Sequence, residues 1–436
     1  MTLAIIGTIA PLAPGAEQDS FHGRVRLGDD GRVAEVTRTD RDGPGAPADH
    51  EIDAGDAFVY PGLIDLHSHL AYNALPLWTD PRRTTPYPTH RDWPNAPTYA
   101  SSISWPSWTL LHGPTECLLA YVQVRALAGG TTAIQGWPPL SRPPVNRLVR
   151  CVEQDHVGPL PDPVSVSVVT LSPVQLGQRE KAMEAGQVFA YHCAEGRQGT
   201  AVWREFSDVR NAGCLRRELA AIHCCAAQEA DFEAWAKLSP PGIGPAGTVV
   251  WSPLSNLWLY GVTTDVPSAL RAGLAACLGT DWGPSGTRNL LAELKVARLW
   301  SDHQGWGLTD HDLVTMVTAA PGDVLARAWR VPAGRLVAGA LGDAVVIARR
   351  AQDPWANLVA AREADVLLVV KDGQAVYGTE ELLARAGQSV STEVALGPDV
   401  RRVVLRLPSD PTQPWDWADV LRRLEAVRAD AAVHPP

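Results

Sequence analysis

Residues 61–70 read PGLIDLHSHL: a short apolar run, Leu63-Ile64-Asp65-Leu66, delivers His67 and His69 with one residue between them. On an extended strand side chains alternate faces, so both imidazoles point the same way. Two histidines side by side at a strand end can take one metal ion. Pro61 and Gly62 start the strand sharply after a looser segment. The same spacing also suits two surface histidines on an ordinary strand, so the rest of the chain decides.

Downstream, strand-like segments recur: TTAIQGW (131–137), SVSVVTL (165–171), VFAYHCAEG (188–196), LAAIHCC (219–225), TVVWSPLSN (248–256) and LAACLGTDW (274–282). Helical patterns such as TECLLAYVQVRALAGG and RNLLAELKVARLWSDH lie between most of them. This alternation predicts an α/β fold with a parallel sheet and helices outside. Over residues 61–334 it fits an eight-stranded (β/α)8 TIM barrel. An open doubly wound sheet is the alternative, but no glycine-rich phosphate loop follows the first strand. The flanks are β-rich: GRVRLGDDGRVAEVTR with its DDG turn near the start, LGDAVVIAR and ADVLLVVKDGQAVYG near the end. They predict a small β-sandwich built from both chain ends, residues 1–60 and 335–400. A helical tail over 401–436 contains DWADVLRRLEAVRAD.

At 436 residues the chain is long enough for a barrel plus a small accessory domain. A formal charge of -10 argues against nucleic acid or an anionic membrane as partner. No run approaches the roughly 18 apolar residues of a membrane span. MTLAIIGTIAPLAPG has no basic residue before its apolar run and reads as a strand rather than a signal peptide. Seven cysteines without a C-x-x-C pattern suit buried free thiols in a reducing, cytoplasmic compartment. The outlier is tryptophan: 16 against 5 phenylalanines, many in Pro- and Gly-rich loops, so not all can be core filler.

The barrel makes a sharp prediction, since active residues sit at the C-terminal ends of different strands. His67 and His69 end the first strand, His192 ends VFAYH, His223 ends LAAIH and Asp281 ends LAACLGTD. Any one of these histidines alone suits a core residue satisfied by a backbone carbonyl, but five polar residues together at strand ends do not. Three imidazoles and a carboxylate also form a catalytic zinc set that leaves a position for water.

PGLIDLHSHL, YHCAEG, IHCC, SPLSNLWL and LGTDWGPSG, in this order, resemble the metal-dependent amidohydrolase superfamily. The branch most alike contains cytosine and guanine deaminases and the triazine hydrolases. The resemblance covers the chain up to about residue 378. It implies a distorted barrel with a sandwich from both ends, and one divalent metal ion, Zn2+ before Fe2+ or Mn2+. By resemblance His67, His69, His192 and Asp281 are the ligands, and Asp281 also takes a proton from the water. His223 resembles the histidine that orients water or substrate, and Glu195 the proton shuttle to a leaving nitrogen. Binuclear members use a carboxylated lysine after the fourth strand; VSVSVVTLSP has none, and Lys181 lies later in a helical pattern, so one ion is expected. The family also implies a homo-oligomer.

Between His69 and the first barrel helix, residues 71–112 carry Trp78, Trp93, Trp105, Trp108, Tyr72, Tyr87 and Tyr99. A loop this long without obvious regular structure is functional or disordered, and its aromatic content argues against disorder. It reads as a lid, a subunit contact or a pocket wall. In the last case Tyr72, Asn73, Trp78, Trp105, Trp137, Trp251 and Trp282 bind substrate, and aromatic walls suit a planar or apolar molecule. Arg82, Arg83 and Arg91 suit either a substrate carboxylate or solvent. By the same resemblance SPLSNLWLYG is the seventh-strand motif, which implies that Ser255 and Asn256 shape its loop rather than do chemistry. The leading expectation is a hydrolase acting on a C–N bond of an amidine, cyclic amidine or amide, by deamination in its strict form. The alternatives are amide cleavage in a bulky apolar peptide or natural-product intermediate, a non-catalytic binding protein on the same fold, and a cysteine nucleophile at Cys193 or Cys224.

Overall fold

The computed structural model describes residues 1–43, 45–138, 147–155, 157–160, 162–240, 242 and 244–433. Four strands open the chain: β1 (Leu3–Ile9), β2 (Phe21–Leu27), β3 (Val33–Arg38) and β4 (His50–Pro61). Eight short strands follow: β5 (Leu63–Asp65), β6 (Thr131–Ile134), β7 (Arg150–Cys151), β8 (Val164–Ser167), β9 (Val188–Cys193), β10 (Leu219–His223), β11 (Thr248–Trp251) and β12 (Ala275–Leu278). Strands β5, β6 and β7 pair in parallel, and β8 to β12 form a second parallel sheet. Eight strands in two parallel sheets, with helices between most of them, match the barrel read from the sequence; no helix separates β6, β7 and β8 among the described residues. At one seam Leu278 N donates to Met316 O (2.9 Å) and Ile64 N to Val317 O (2.8 Å), so residues 316–317 fill the gap between β12 and β5. Further along, Ser68 bridges Asp281 directly. No ladder joins β7 to β8 among the described residues.

Alternation sorts the strand side chains into two cores. Ile64, Ala133, Val188, Ala190, Ala220, Ile222, Val250 and Cys277 share one cluster with Trp329. Their neighbours Phe189, Tyr191, Ala221, Val249, Trp251 and Leu278 belong to the helix-facing layer. The helices up to β12 include α1 (Trp105–His112), α2 (Thr115–Ala128), α3 (Pro173–Glu184), α4 (Trp203–Asn211), α5 (Glu229–Leu238) and α6 (Pro253–Tyr260).

The C-terminal strands β13 (Ala344–Ile347), β14 (Val366–Lys371), β15 (Gln374–Gly378), β16 (Thr392–Leu396) and β17 (Asp399–Val403) join β1 to β4 in one nine-stranded sheet, with β13 beside β4. Leu3, Ile5, Val25, Leu27, Ile52, Val346, Leu368 and Val370 pack together inside it, giving the sandwich its own core. The two hairpin turns meet: Gly342 N donates to Gly31 O and Gly373 N to Gly342 O, each at 2.8 Å. Buried Arg150 on β7 pairs with Asp343 (3.0 Å) and Asp372 (2.6 Å), tying the barrel to this sheet. The tail carries the helix Trp417–Val433; residues 434–436 of the expected tail lie outside the described residues. No helix among the described residues is long and apolar enough to cross a membrane. All seven cysteines are buried free thiols.

Candidate metal centre and active site

His67, His69, His192, His223 and Asp281 converge at the C-terminal ends of β5, β9, β10 and β12. Ring centroids lie 5.0 Å apart for His67–His69, 4.7 Å for His67–His192, 5.1 Å for His67–His223 and 5.0 Å for His192–His223. Asp281 Oδ1 is 3.2 Å from His67 Nε2 and 3.5 Å from His69 Nε2. Ligand atoms of His67, His69 and Asp281 lie within 4.8 Å of one another, as do those of His67, His192 and His223.

The backbone is bent to achieve this. By strand register His223 pairs with outward-facing Cys193, while Ile222 pairs with inward-facing His192. A left-handed backbone at His223 (φ 70) and Cys224 (φ 50) re-aims the His223 ring toward the centre. Ala194 (φ 52) and Asp281 (φ 58) are also left-handed. Such non-glycine conformations cost about 1–3 kcal/mol each and collect where function demands them. Gly279 allows β12 to approach, since a Cβ there would stand 2.6 Å from His67 Cβ. Gly136 (φ +100) is under stricter demand, for its Cβ would overlap the Ser68 carbonyl at 1.5 Å.

The ionisation states suit a cation. Burial holds His69 down to about 4 and His223 down to about 3, and burial with His67 beside it lowers His192 strongly. Neutral imidazoles are the ligating form. Burial alone would raise the Asp281 carboxyl, but His67, whose own pKa Asp281 raises against burial, holds it far below the usual range, so it is ionised. Nε2 of His192 and Nε2 of His223 are buried with no hydrogen-bond partner among the described residues. A buried unpaired polar atom costs about 1–3 kcal/mol, and a bound cation beside His192 removes that cost. The donor set therefore fits one ion.

Further contacts orient the groups. Gln135 Oε1 lies 3.2 Å from His67 Nδ1, and its amide nitrogen donates to Glu153 (3.0 Å). Ser255 donates to Asp281 Oδ2 (2.5 Å). The Asn256 amide nitrogen is 2.9 Å from His223 Nδ1, while its carbonyl accepts from Thr263, which accepts from the Trp251 indole. An amide nitrogen can only donate, so His223 carries its proton on Nε2. That nitrogen faces Glu195 Oε2 at 3.6 Å, and His192 Nδ1 is 3.6 Å from the same oxygen. Glu195 Oε1 accepts from the Tyr260 hydroxyl (2.5 Å), which accepts from the Trp93 indole (2.9 Å).

The expected aromatic residues divide. Tyr72 lies between His69 (6.3 Å) and Trp282 (5.5 Å), and Trp282 packs on Trp93 (5.0 Å). Trp78 joins the same cluster, stacked on Tyr87. Asn73 donates to Ser68 (3.0 Å), bracing the bend between the histidines. Trp137 is buried beneath Arg147 at 5.1 Å. Two expectations need correction. Trp251 faces the helix layer against Trp306, because its strand parity is that of Val249, so it supports His223 from behind. Trp105 is 40% exposed on α1, away from the packed aromatic cluster. The loop itself is more regular than expected, with helical turns at Leu70–Ala74 and Trp93–Asn95, and α1 at its end. Arg91 pairs with buried Glu205 (2.8 Å), and Arg83 lies over Tyr87 (3.9 Å). Lys181 is exposed on α3. Cys193 is buried, and hydrogen bonding with Cys224 and burial push its thiol far up, which disfavours a thiolate nucleophile.

Sequence reading missed Tyr260, Glu205 and the direct contacts of Ser255 and Asn256, which were assigned to loop shape alone. The signal for Tyr260 lies in SPLSNLWLY, where Asn256 and Tyr260 are four apart and share one helix face.

No protein-family model matches the chain. Two curated relatives are 5-methylthioadenosine/S-adenosylhomocysteine deaminases. The Thermococcus sibiricus protein is 28% identical over 39% of this chain and 40% of its own length. The Moorella thermoacetica protein is 26% identical over 80% of this chain and 89% of its own. Among solved structures, a Xanthomonas campestris adenosine deaminase with bound zinc superposes with a TM-score of 0.69 at 14% identity, covering 99% of both chains. A triazine hydrolase variant gives 0.68 at 16% identity, over 98% of this chain and 99% of that one. These comparisons bear out the amidohydrolase resemblance and its barrel fold.

Proposed function

We propose that this chain is a mononuclear metal-dependent hydrolase that releases ammonia from an amidine-type carbon of a small planar substrate. The observation that carries this reading is the Glu195 carboxyl, whose free oxygen lies 3.6 Å from both His192 and His223. Deamination needs such a group to protonate a leaving nitrogen.

His67, His69, His192 and Asp281 would hold one divalent ion; zinc suits them, and iron or manganese accept the same donors. When bound, the ion supplies Lewis acidity that brings the pKa of water to about 7. Asp281, held ionised, takes one proton of the attacking water, and Glu195 Oε2 takes the other. His223 donates from Nε2 to the attacking oxygen as it bonds to the amidine carbon and the C=N electron pair moves onto nitrogen. The proton from Asp281 goes to that nitrogen and the one from Glu195 Oε2 to the departing nitrogen, which leaves as ammonia. Tyr72, Trp93 and Trp282 offer flat apolar faces to a ring. The buried free thiols support a cytoplasmic setting. The curated relatives' names put amino-purine nucleosides first among candidate substrates.

The test is ammonia release by zinc-loaded protein from a panel of amino-purine nucleosides, aminopyrimidines and aminotriazines, beside a panel of aryl and acyl amides. Ammonia from the first panel is expected. Cleavage of amides without ammonia would move the activity to amide hydrolysis, and inertness to both would favour a binding protein.

A further inference from the structure

Helix α6 touches each of the three groups given a chemical role above. Ser255 meets Asp281, Asn256 meets His223 and Tyr260 meets Glu195. The last contact reaches furthest, because it also involves the tryptophan-rich segment.

Tyr260 is fully buried, and burial together with Glu195 keeps its phenol protonated. Its oxygen already accepts from Trp93, so its own proton goes to Glu195 Oε1. That donation occupies Oε1 and leaves Oε2 as the oxygen turned toward His192 and His223. The segment just before Trp93 is held to the backbone around Glu195. His90 N donates to Glu195 O (3.1 Å), Arg197 N to Pro88 O (2.8 Å), and Thr89 bridges Gly196. Trp93 also packs on Trp282, which follows Asp281.

We propose that Tyr260 is a positioning residue that reserves Oε2 of Glu195 for the substrate, and that Trp93 links the tryptophan-rich segment to it. This rests on Glu195 being the proton shuttle. Tyr260→Phe keeps the ring and removes only the hydroxyl. In the zinc-loaded enzyme kcat should fall about 10- to 100-fold, toward the size of a lost acid–base contribution, with KM within about threefold. Trp93→Phe should give a smaller fall of about 3- to 10-fold. Zinc content, measured by mass spectrometry, should match the wild type in both.

An arm independent of turnover compares crystal structures of the wild type and Tyr260→Phe. The Glu195 carboxyl should rotate away from its present orientation once Oε1 loses its donor. Unchanged kcat, a rise in KM alone, a loss that tracks missing zinc, or an unmoved carboxyl each overturns the positioning role. If no substrate releases ammonia, the deaminase reading fails while the crystallographic arm still decides this one.

Discussion

The strand ends and the layer above them are built differently. At the strand ends, His67, His192, His223 and Asp281 come from four separate strands, and each position is fixed by barrel register or by a strained backbone. Above them, Trp93, Tyr260 and Glu205 are set by side-chain contacts between a loop and two helices. The lower group decides which chemistry is available. The upper group decides how the acid is held and what shape of substrate reaches it. A change in the lower group should abolish the reaction, while a change in the upper group should degrade it.

The sharpest break comes from Asp281→Asn. It removes the ionised acceptor between His67 and His69 and leaves a side chain of similar shape. Turnover should fall by at least about 10³-fold, within the range for loss of an acid–base group, and zinc occupancy should drop. Kinetics with parallel metal analysis check this. A variant that keeps full turnover would remove the metal-hydrolase reading and erase the contrast between the two layers.

The same contrast explains what the sequence disclosed. His-x-His, the histidines of YHC and IHC, and the GTD aspartate each end an apolar run, so a period-two reading of the strands places them at one barrel mouth. Seven of the eight barrel strands stood out for the same reason. The eighth, β7, has two residues and carries Arg150, whose charge is matched by Asp343 and Asp372 far along the chain. No local pattern could mark it as a strand. Trp251 was misplaced because aromatic content was read without strand parity. Tyr260 stayed invisible because a tyrosine on an apolar helix face looks like core, and its partners lie 65 and 167 residues away.

Glu205 tests whether the upper layer is a fixed wall. It is buried, and one oxygen accepts from His90 (3.0 Å), Arg91 (2.8 Å) and Thr170 (3.2 Å). Its other oxygen accepts from the strained Ala194 N (3.1 Å), between His192 and Glu195. Glu205→Gln keeps the shape and removes the charge. Stability should fall by about 1–3 kcal/mol, the cost of leaving buried partners unsatisfied. Urea unfolding measures that loss. Amides of residues 89–93 should exchange faster, whereas those of β9 should not. Uniform loosening would mean that loop and barrel form one cooperative layer.

The smallest effect expected is a pH dependence of the same lock. Burial opposes the charge on His90, but the hydrogen bond to Glu205 raises its pKa above the ordinary value. Its contribution is therefore fully present below the unfolded pKa of about 6.5 and is lost as pH rises through the higher folded value. Glu205 works in the opposite sense. Burial opposes its charge too, but His90 and Arg91 lower its pKa, so its contribution is present above the unfolded value of about 4.3 and is lost as pH falls through the lower folded one. Both contributions are complete only between about pH 4.3 and 6.5. Hydrogen exchange at the His90 and Arg197 amides, corrected for intrinsic rates, should show protection that weakens from pH 6.5 upward. In His90→Asn that slope should vanish while Arg91 keeps part of the protection. A slope that survives the substitution would place the titrating group elsewhere and separate the lock from the loop it is held to govern.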